Sequence, residues 1–224
     1  MDPAPAPITR IQENLLAVAE RRLLNWLCAR LPMWVTPDLL TALGVVGAAV
    51  IFAGYAMSND GAGWLWLAIL GFAIQWFGDS LDGSLARFRK IERPAYGYFI
   101  DHSCDGAATL LIVAGIGLSP YVRLDVALFA LVGYLLLAIH AFLSVKVIGE
   151  MKLSYLSAGP TELRLILIAI TLAMMMFGSH GPKLVWLLGA FDLLFAVVAA
   201  VLIALFVIQT LVTGRRIDRM ERGR

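Results

Sequence analysis

Six apolar runs, each long enough to cross a bilayer, constrain this chain more than any other feature. A helix needs roughly 20 apolar residues to span about 30 Å of hydrocarbon, and in lipid only helices or closed barrels satisfy every backbone group. The runs occupy residues 38–57, 62–81, 98–118, 124–147, 161–178 and 183–212, too long and continuous for the alternating strands of a barrel. The loops between them are short. The expected fold is therefore all-α: a polytopic membrane protein whose six transmembrane helices form one compact domain over 32–213. Composition agrees, since 60% of residues are hydrophobic and 15% charged, with a mean hydropathy of +0.82, which excludes an ordinary soluble domain.

Three further segments flank that domain. "MDPAPAPITR" carries Asp2 and three prolines with no apolar core, so 1–8 reads as a disordered lead-in and not as a secretory signal. Over 9–31, Ile11, Leu15, Leu16, Ala19, Leu23, Trp26 and Leu27 recur at three- and four-residue spacing while Arg21, Arg22 and Arg30 fall elsewhere. That pattern suits an amphipathic helix lying in the membrane interface; a connecting helix packed on protein is the alternative. The basic segment 214–224 reads as a tail that meets anionic lipid headgroups, and no nucleic-acid motif accompanies it. Cys28 and Cys104 have no metal-type spacing and read as packing residues.

Basic residues set the orientation. Arg10, Arg21, Arg22, Arg30, Arg87, Arg89, Lys90, Arg93, Lys146, Lys152, Arg164, Arg215, Arg216, Arg219, Arg222 and Arg224 would share one side, and only Arg123 and Lys183 the other. The positive-inside rule then puts both termini in the cytoplasm of a cell bounded by an inner or plasma membrane.

Against this oily background, residues 77–106 read "FGDSLDGSLARFRKIERPAYGYFIDHSCDG". Asp79 and Asp82 are three residues apart at the cytoplasmic end of the second run; Asp101 and Asp105 are four apart at the start of the third. At 3.6 residues per turn each pair lies on one helix face. With so short a connection the two helices are expected to be antiparallel neighbours, their pairs facing each other at one depth. Carboxylates near lipid are costly, on the order of 3 kcal/mol each at the midplane, and four together repel. Arg87 alone cannot balance them. Two divalent cations would, and hard oxygen ligands favour magnesium, manganese or calcium over zinc. Two such ions about 4 Å apart form the clamp used on phosphoryl oxygens. Gly83, Ala86 and Gly97 leave room for a ligand beside the helices, and Arg87 offers a forked donor to a diphosphate oxygen.

Written out, the stretch is Asp79-x2-Asp82-Gly83-x2-Ala86-Arg87-x9-Gly97-x3-Asp101-x3-Asp105. It resembles the signature of the CDP-alcohol phosphotransferase (CDP-alcohol phosphatidyltransferase) family with every defining position filled. The resemblance implies that Asp79, Asp82, Asp101 and Asp105 bind two divalent cations, Mg2+ or Mn2+, which grip the diphosphate of a CDP-linked donor. Asp82, Gly83, Ala86, Arg87 and Gly97 would contact nucleotide and diphosphate. Asp105 would be the catalytic base toward an acceptor hydroxyl, with CMP released. The first-choice donor is CDP-diacylglycerol, which makes the chain a phospholipid-synthesis enzyme; the alternative is an aminoalcohol phosphotransferase that joins CDP-choline or CDP-ethanolamine to diacylglycerol. Family analogy also suggests a homodimer among membrane lipids.

Four more residues are candidate substrate contacts. "TPDLLTALG" resembles the family's start of the first span with Asp38 in place of an asparagine, so Asp38 or Thr41 would touch nucleotide, unless they serve as a helix cap. "GPTELRL" is similar to a Gly-Pro-x-Glu segment of the aminoalcohol branch and makes Glu162 and Arg164 candidates for acceptor selection; Pro160 and Glu162 also suit the first turn of a helix. His102 should point about 100° away from Asp101 and act in packing. His140 and Asp192 are expected in the half of the bundle away from the site, bonding between helices. Glu150 and Lys152 would border the same cytoplasmic cavity. The rival from another class is a divalent-cation transporter, for which Gly83, Ala86, Arg87 and Gly97 have no use. An intramembrane prenyltransferase would space its aspartates differently.

Overall fold

The computed structural model describes residues 17–148, 159–179 and 188–223. Seven α-helices follow one another: α1 (Ala17–Cys28), α2 (Pro37–Met57), α3 (Leu65–Arg89), α4 (Pro94–Leu118), α5 (Leu124–Ile148), α6 (Pro160–Phe177) and α7 (Ala190–Arg222). Helices α2 to α7 are long and apolar enough to cross a membrane, as the six runs require. The lead-in, residues 9–16 of the N-terminal amphipathic segment, Glu150, Lys152 and Lys183 lie outside the described residues.

Two helices run past their expected ends. Helix α3 continues to Arg89, where Lys90 turns left-handed (φ 56°) and donates its N–H to Ala86 and Arg87 carbonyls. Asp79 and Asp82 therefore sit inside a helix and not at its end. Helix α7 continues to Arg222, so the basic tail forms its final turns. Hydropathy marks only where lipid ends; the hydrogen-bonded backbone continues until a capping residue stops it.

The tightest packing is between α2 and α3. Glycines make it possible: a Cβ built on Gly47 would lie 2.4 Å from the Gln75 backbone nitrogen, and one on Gly78 2.3 Å from the Gly44 nitrogen. Without a hydrophobic driving force inside lipid, such close backbone approach is what holds membrane helices together. Helix α4 also packs on α2, with Gly115 against Phe52, while α5 pairs with α7. Helices α3 and α4, expected as antiparallel neighbours, are not among the closely packed helix pairs; both pack on α2 and meet each other through side chains. The small-residue seam faces α2, so the two carboxylate-bearing helices are left apart, bridged by side chains.

Helix α1 packs one face on protein and leaves the other exposed. Leu24 and Cys28 are buried in a cluster with Val35, Leu40, Leu81 and Leu85, whereas Leu23, Trp26, Arg21 and Arg22 are exposed. Burial pushes the Cys28 thiol up from its ordinary value, in keeping with a packing role. The turn after α1 is held by Arg89, whose guanidinium donates to the carbonyls of Leu31 (3.0 Å), Pro32 (2.9 Å) and Val35 (2.5 Å). At the opposite end of the bundle, Asp192 accepts the backbone N–H groups of Arg123 (2.7 Å) and Gly189 (2.9 Å), capping the starts of α5 and α7 together. His140 departs from expectation. It lies 16 residues into α5, nearer the end that carries the aspartates, and its ring is within 3.5 Å of Thr210 and Thr213 hydroxyls on α7.

Candidate active site

The four aspartates converge. Asp79 on α3 and Asp101 and Asp105 on α4 line one small cleft, closed by Thr41, Gly44 and Val45 of α2 and by Gln75, Cys104 and Ala108. Asp79 and Asp105 are within hydrogen-bonding reach of each other across the gap between α3 and α4. Asp82 adjoins the cleft through Thr41, whose hydroxyl donates to Asp82 Oδ2 at 2.6 Å. The turn geometry explains the convergence: positions three and four apart share a face, and α2 sets the distance between the two faces. At Gly44, α2 backs onto Asp79: an added Cβ would sit 3.3 Å from the Asp79 nitrogen.

Only one described cation enters this cluster from another helix. Arg164, in the second turn of α6, pairs with Asp79 Oδ2 and donates through Nε to Gln75 Oε1 at 2.5 Å. Its Nη1 is buried without a hydrogen-bond partner. One guanidinium against four carboxylates leaves the cluster strongly acidic, and those carboxylates are hard oxygen donors, the set that suits Mg2+ or Mn2+. The residues present therefore fit divalent cations. His102 sits closer to this chemistry than its expected heading allowed: Nδ1 is 3.2 Å from Asp101 Oδ2, and Asp101, His102 and Asp105 each offer a ligand atom within 4.8 Å of the others. Its ring also packs on Tyr98 and Phe142, which is the packing role anticipated.

The remaining candidates divide. Gly83 directly follows Asp82 and Arg87 lies just over one turn further on, with the exposed guanidinium 3.3 Å from where a Gly83 Cβ would be, and Arg87 donates to Ser84 Oγ at 3.3 Å. Ala86 accepts the Ile91 N–H at the end of α3. Gly97 faces open space on the exposed first turn of α4. Asp38 does not cap α2; Thr36 does, accepting the Leu39 N–H at 3.2 Å, while Asp38 pairs with Arg93 at the surface. Glu162 caps α6 by accepting the Gly159 N–H at 3.0 Å, the structural alternative weighed for it. Thr41 and Arg164 thus enter the cluster, and Asp38 and Glu162 are held in other contacts.

Sequence reading missed Gln75 and Glu20. Gln75 was legible in principle, as an amide four residues before Asp79 in an apolar run. Glu20 gave no such signal. It accepts from Trp76 Nε1 (3.0 Å) on α3 and from the Thr161 hydroxyl (2.5 Å) on α6, partners 56 and 141 residues away.

Residues 34–207 match the family model described as CDP-alcohol phosphatidyltransferase. Among curated relatives, the chain is 30% identical over 122 residues to cholinephosphotransferase 1 of Danio rerio, covering 48% of this chain and 32% of that protein. It is 35% identical over 89 residues to ceramide phosphoethanolamine synthase of Drosophila melanogaster (37% and 22% covered). It is 35% identical over 85 residues to phosphatidylinositol phosphate synthase of Cutibacterium acnes (38% of each covered). The matched stretches span less than two-fifths of the length of these relatives.

Proposed function

Since the chain belongs to the CDP-alcohol phosphatidyltransferase family, we propose that it transfers a substituted phosphoryl group from a CDP-linked donor to an alcohol acceptor and releases CMP. The observation that carries this reading is the convergence of Asp79, Asp101 and Asp105 on one cleft with Asp82 beside it. Asp79, Asp82, Asp101 and Asp105 hold two divalent cations, Mg2+ or Mn2+. When bound, these ions neutralise the donor's diphosphate and stabilise charge on the departing CMP.

The chain's own residues do the rest. Asp105 lies between α4 and the Asp79 carboxylate and orients the acceptor hydroxyl, accepting its proton as the oxygen attacks phosphorus. Thr41 fixes the rotamer of Asp82 through its 2.6 Å hydrogen bond. Arg87, exposed and next to Gly83, is free to turn toward a phosphate oxygen, and Gly83, Ala86 and Gly97 leave the approach unobstructed for ribose and base. The site faces the cytoplasm, and two chains associate through helices outside α3 and α4.

Two donor classes fit. CDP-diacylglycerol with a small hydroxylated acceptor is supported by the similarity to a phosphatidylinositol phosphate synthase. CDP-choline or CDP-ethanolamine with diacylglycerol is supported by the cholinephosphotransferase and ceramide phosphoethanolamine synthase relatives and by the Gly159-Pro160-x-Glu162 segment. The second has the broader support, because the longest alignments fall on it. CMP release by purified protein, measured for each donor against a panel of alcohols, tests the reading. We expect release with one donor class and Mg2+ or Mn2+. Metal uptake into vesicles with no CMP from any donor would favour the transporter instead.

A further inference from the structure

Helices α3 and α6 are the second and fifth spans and run antiparallel, and two side-chain bridges join them at the level of the site. The first is Arg164 of α6 to Asp79 and Gln75 of α3. The second passes through a third helix: Glu20 of α1 accepts from Trp76 of α3 and from Thr161 of α6 through the same Oε1. Trp76 precedes Asp79 by three residues, and Thr161 precedes Arg164 by three. At 1.5 Å per residue each offset is about 4.5 Å along its axis. In antiparallel helices the offsets point in opposite directions, so the Trp76–Thr161 tie slants against the Asp79–Arg164 pair, like crossed struts, while the Arg164 bond to Gln75 reaches α3 on the other side of Trp76. One strut alone lets the helices slide along its slant; two resist axial motion either way. The second strut needs α1, because neither Trp76 nor Thr161 offers the anionic acceptor that joins them.

We propose that Glu20 is a positioning residue: by tying Trp76 to Thr161 it holds α6 in the register that keeps the Arg164 guanidinium against Asp79. This rests on the metal-binding reading of Asp79 given above, and it adds a regulator of that site. A guanidinium on Asp79 competes with a cation for the same carboxylate, so Arg164 sets how tightly the cluster takes its ions. Because α1 also exposes Trp26, Leu23, Arg21 and Arg22, the strut connects a membrane-facing helix to the acidic cluster.

The sign of the effect separates this role from mere support. Loss of a purely structural contact loosens the cluster and weakens cation binding. Loss of Glu20 as a strut releases Arg164 from Asp79 and strengthens it. The test uses the full chain in lipid nanodiscs, titrated with Mn2+ by electron paramagnetic resonance. Glu20→Ala should tighten Mn2+ binding by about fivefold, the low end of coupling between sites. Arg164→Gln should tighten it in the same direction, and the double variant should go no further, since both changes remove one interaction. Glu20→Gln keeps an oxygen that accepts both bonds and should restore the wild-type affinity. Thr161→Val, which removes one hydroxyl, gives a smaller tightening and serves if Glu20→Ala does not fold. Unchanged or weaker Mn2+ binding in Glu20→Ala or Thr161→Val, or effects that add in the double variant, overturns the proposal. A wild type that binds no Mn2+ sinks the metal reading instead. Amide exchange then decides for Glu20: residues 163–168 should exchange faster in Glu20→Ala and return to the wild-type rate in Glu20→Gln, and equal rates in all three would refute the strut.

Discussion

Substituting Gly78 by alanine separates what holds the bundle together from what holds a ligand. The added Cβ would lie 2.3 Å from the Gly44 nitrogen and 2.5 Å from the Leu40 carbonyl oxygen, both backbone atoms that no rotamer change can move aside. To bring the closer contact out to ordinary van der Waals distance, α2 and α3 must part by about 1 Å. Overpacking of this kind typically costs about 1–3 kcal/mol, which for a chain this size lowers Tm by on the order of 5 °C. The same displacement stretches the Thr41 to Asp82 hydrogen bond beyond its useful range from 2.6 Å. A misplacement of about 1 Å in a catalytic group can cost on the order of 100-fold in rate. Gly97→Ala is the contrast, because nothing lies within 4 Å of its added methyl. It should leave Tm unchanged and raise the KM for the CDP donor, by crowding ligand alone. Thermal unfolding in detergent, followed by CMP release on the same preparations, reads both. Gly78→Ala with unchanged Tm and activity would show that the α2–α3 seam does not set the site. Gly97→Ala with an unchanged KM for the CDP donor would remove Gly97 from the nucleotide contacts.

Four further outcomes follow from the same geometry. Asp105→Asn should abolish CMP release while leaving the Tm within a few degrees of wild type; near-normal turnover would take Asp105 out of the proton-accepting role. Arg89→Ala should destabilise the chain by about 2 kcal/mol, because several backbone carbonyls of the Leu31–Val35 turn lose a charged donor at once; an unchanged unfolding temperature refutes that. Cys104 lines the acidic cleft and Cys28 is buried against α3. A small thiol reagent should therefore modify Cys104 first, and Mn2+ with a CDP compound should slow it; equal labelling of both cysteines with no protection would move Cys104 away from the ligand. Asp192→Ala, which leaves the Arg123 and Gly189 N–H groups uncapped at the far end of the bundle, should lower Tm by on the order of 5 °C, since losing a cap costs about 1 kcal/mol or more. It should leave the Mn2+ affinity unchanged, and a loss of Mn2+ binding would contradict the distance assigned between Asp192 and the site.

How much could be read from the sequence depended on whether the determinant was local. The six spans were legible because lipid imposes its thickness on each helix separately, and the aspartate pairs because a three- or four-residue spacing fixes a shared face whatever surrounds it. The joining of those faces is not local. It was expected from the short link between the second and third spans, yet it is the α2–α3 seam, through Gly44 and Gly47 of α2 and Gly78 of α3, that brings α3 to its place, and those glycines looked like ordinary small residues in an apolar run. The fates of Asp38 and Arg164 show the same limit. Both are charges near helix starts, but Asp38 found Arg93 at the surface and Arg164 found Asp79 in the cleft, and only the packing of α6 on α3 distinguishes them. His140 was assigned to the wrong half, although its position well past the middle of α5 puts it nearer the end that carries the aspartates. Glu20 was illegible for the plainest reason: its two partners, Trp76 and Thr161, lie far from it in the chain and from each other.

The central claim is that Asp79, Asp82, Asp101 and Asp105 act together as a binding site for two divalent ions under a nucleotide diphosphate. Counting Mn2+ bound per chain at saturation, with and without an unreactive CDP-linked analogue, tests it most directly. Two ions per chain in the presence of the analogue, reduced to one or none by asparagine at any of the four positions, is the predicted result. Stoichiometry that is zero in the wild type, or that survives Asp79→Asn and Asp101→Asn unchanged, would contradict it.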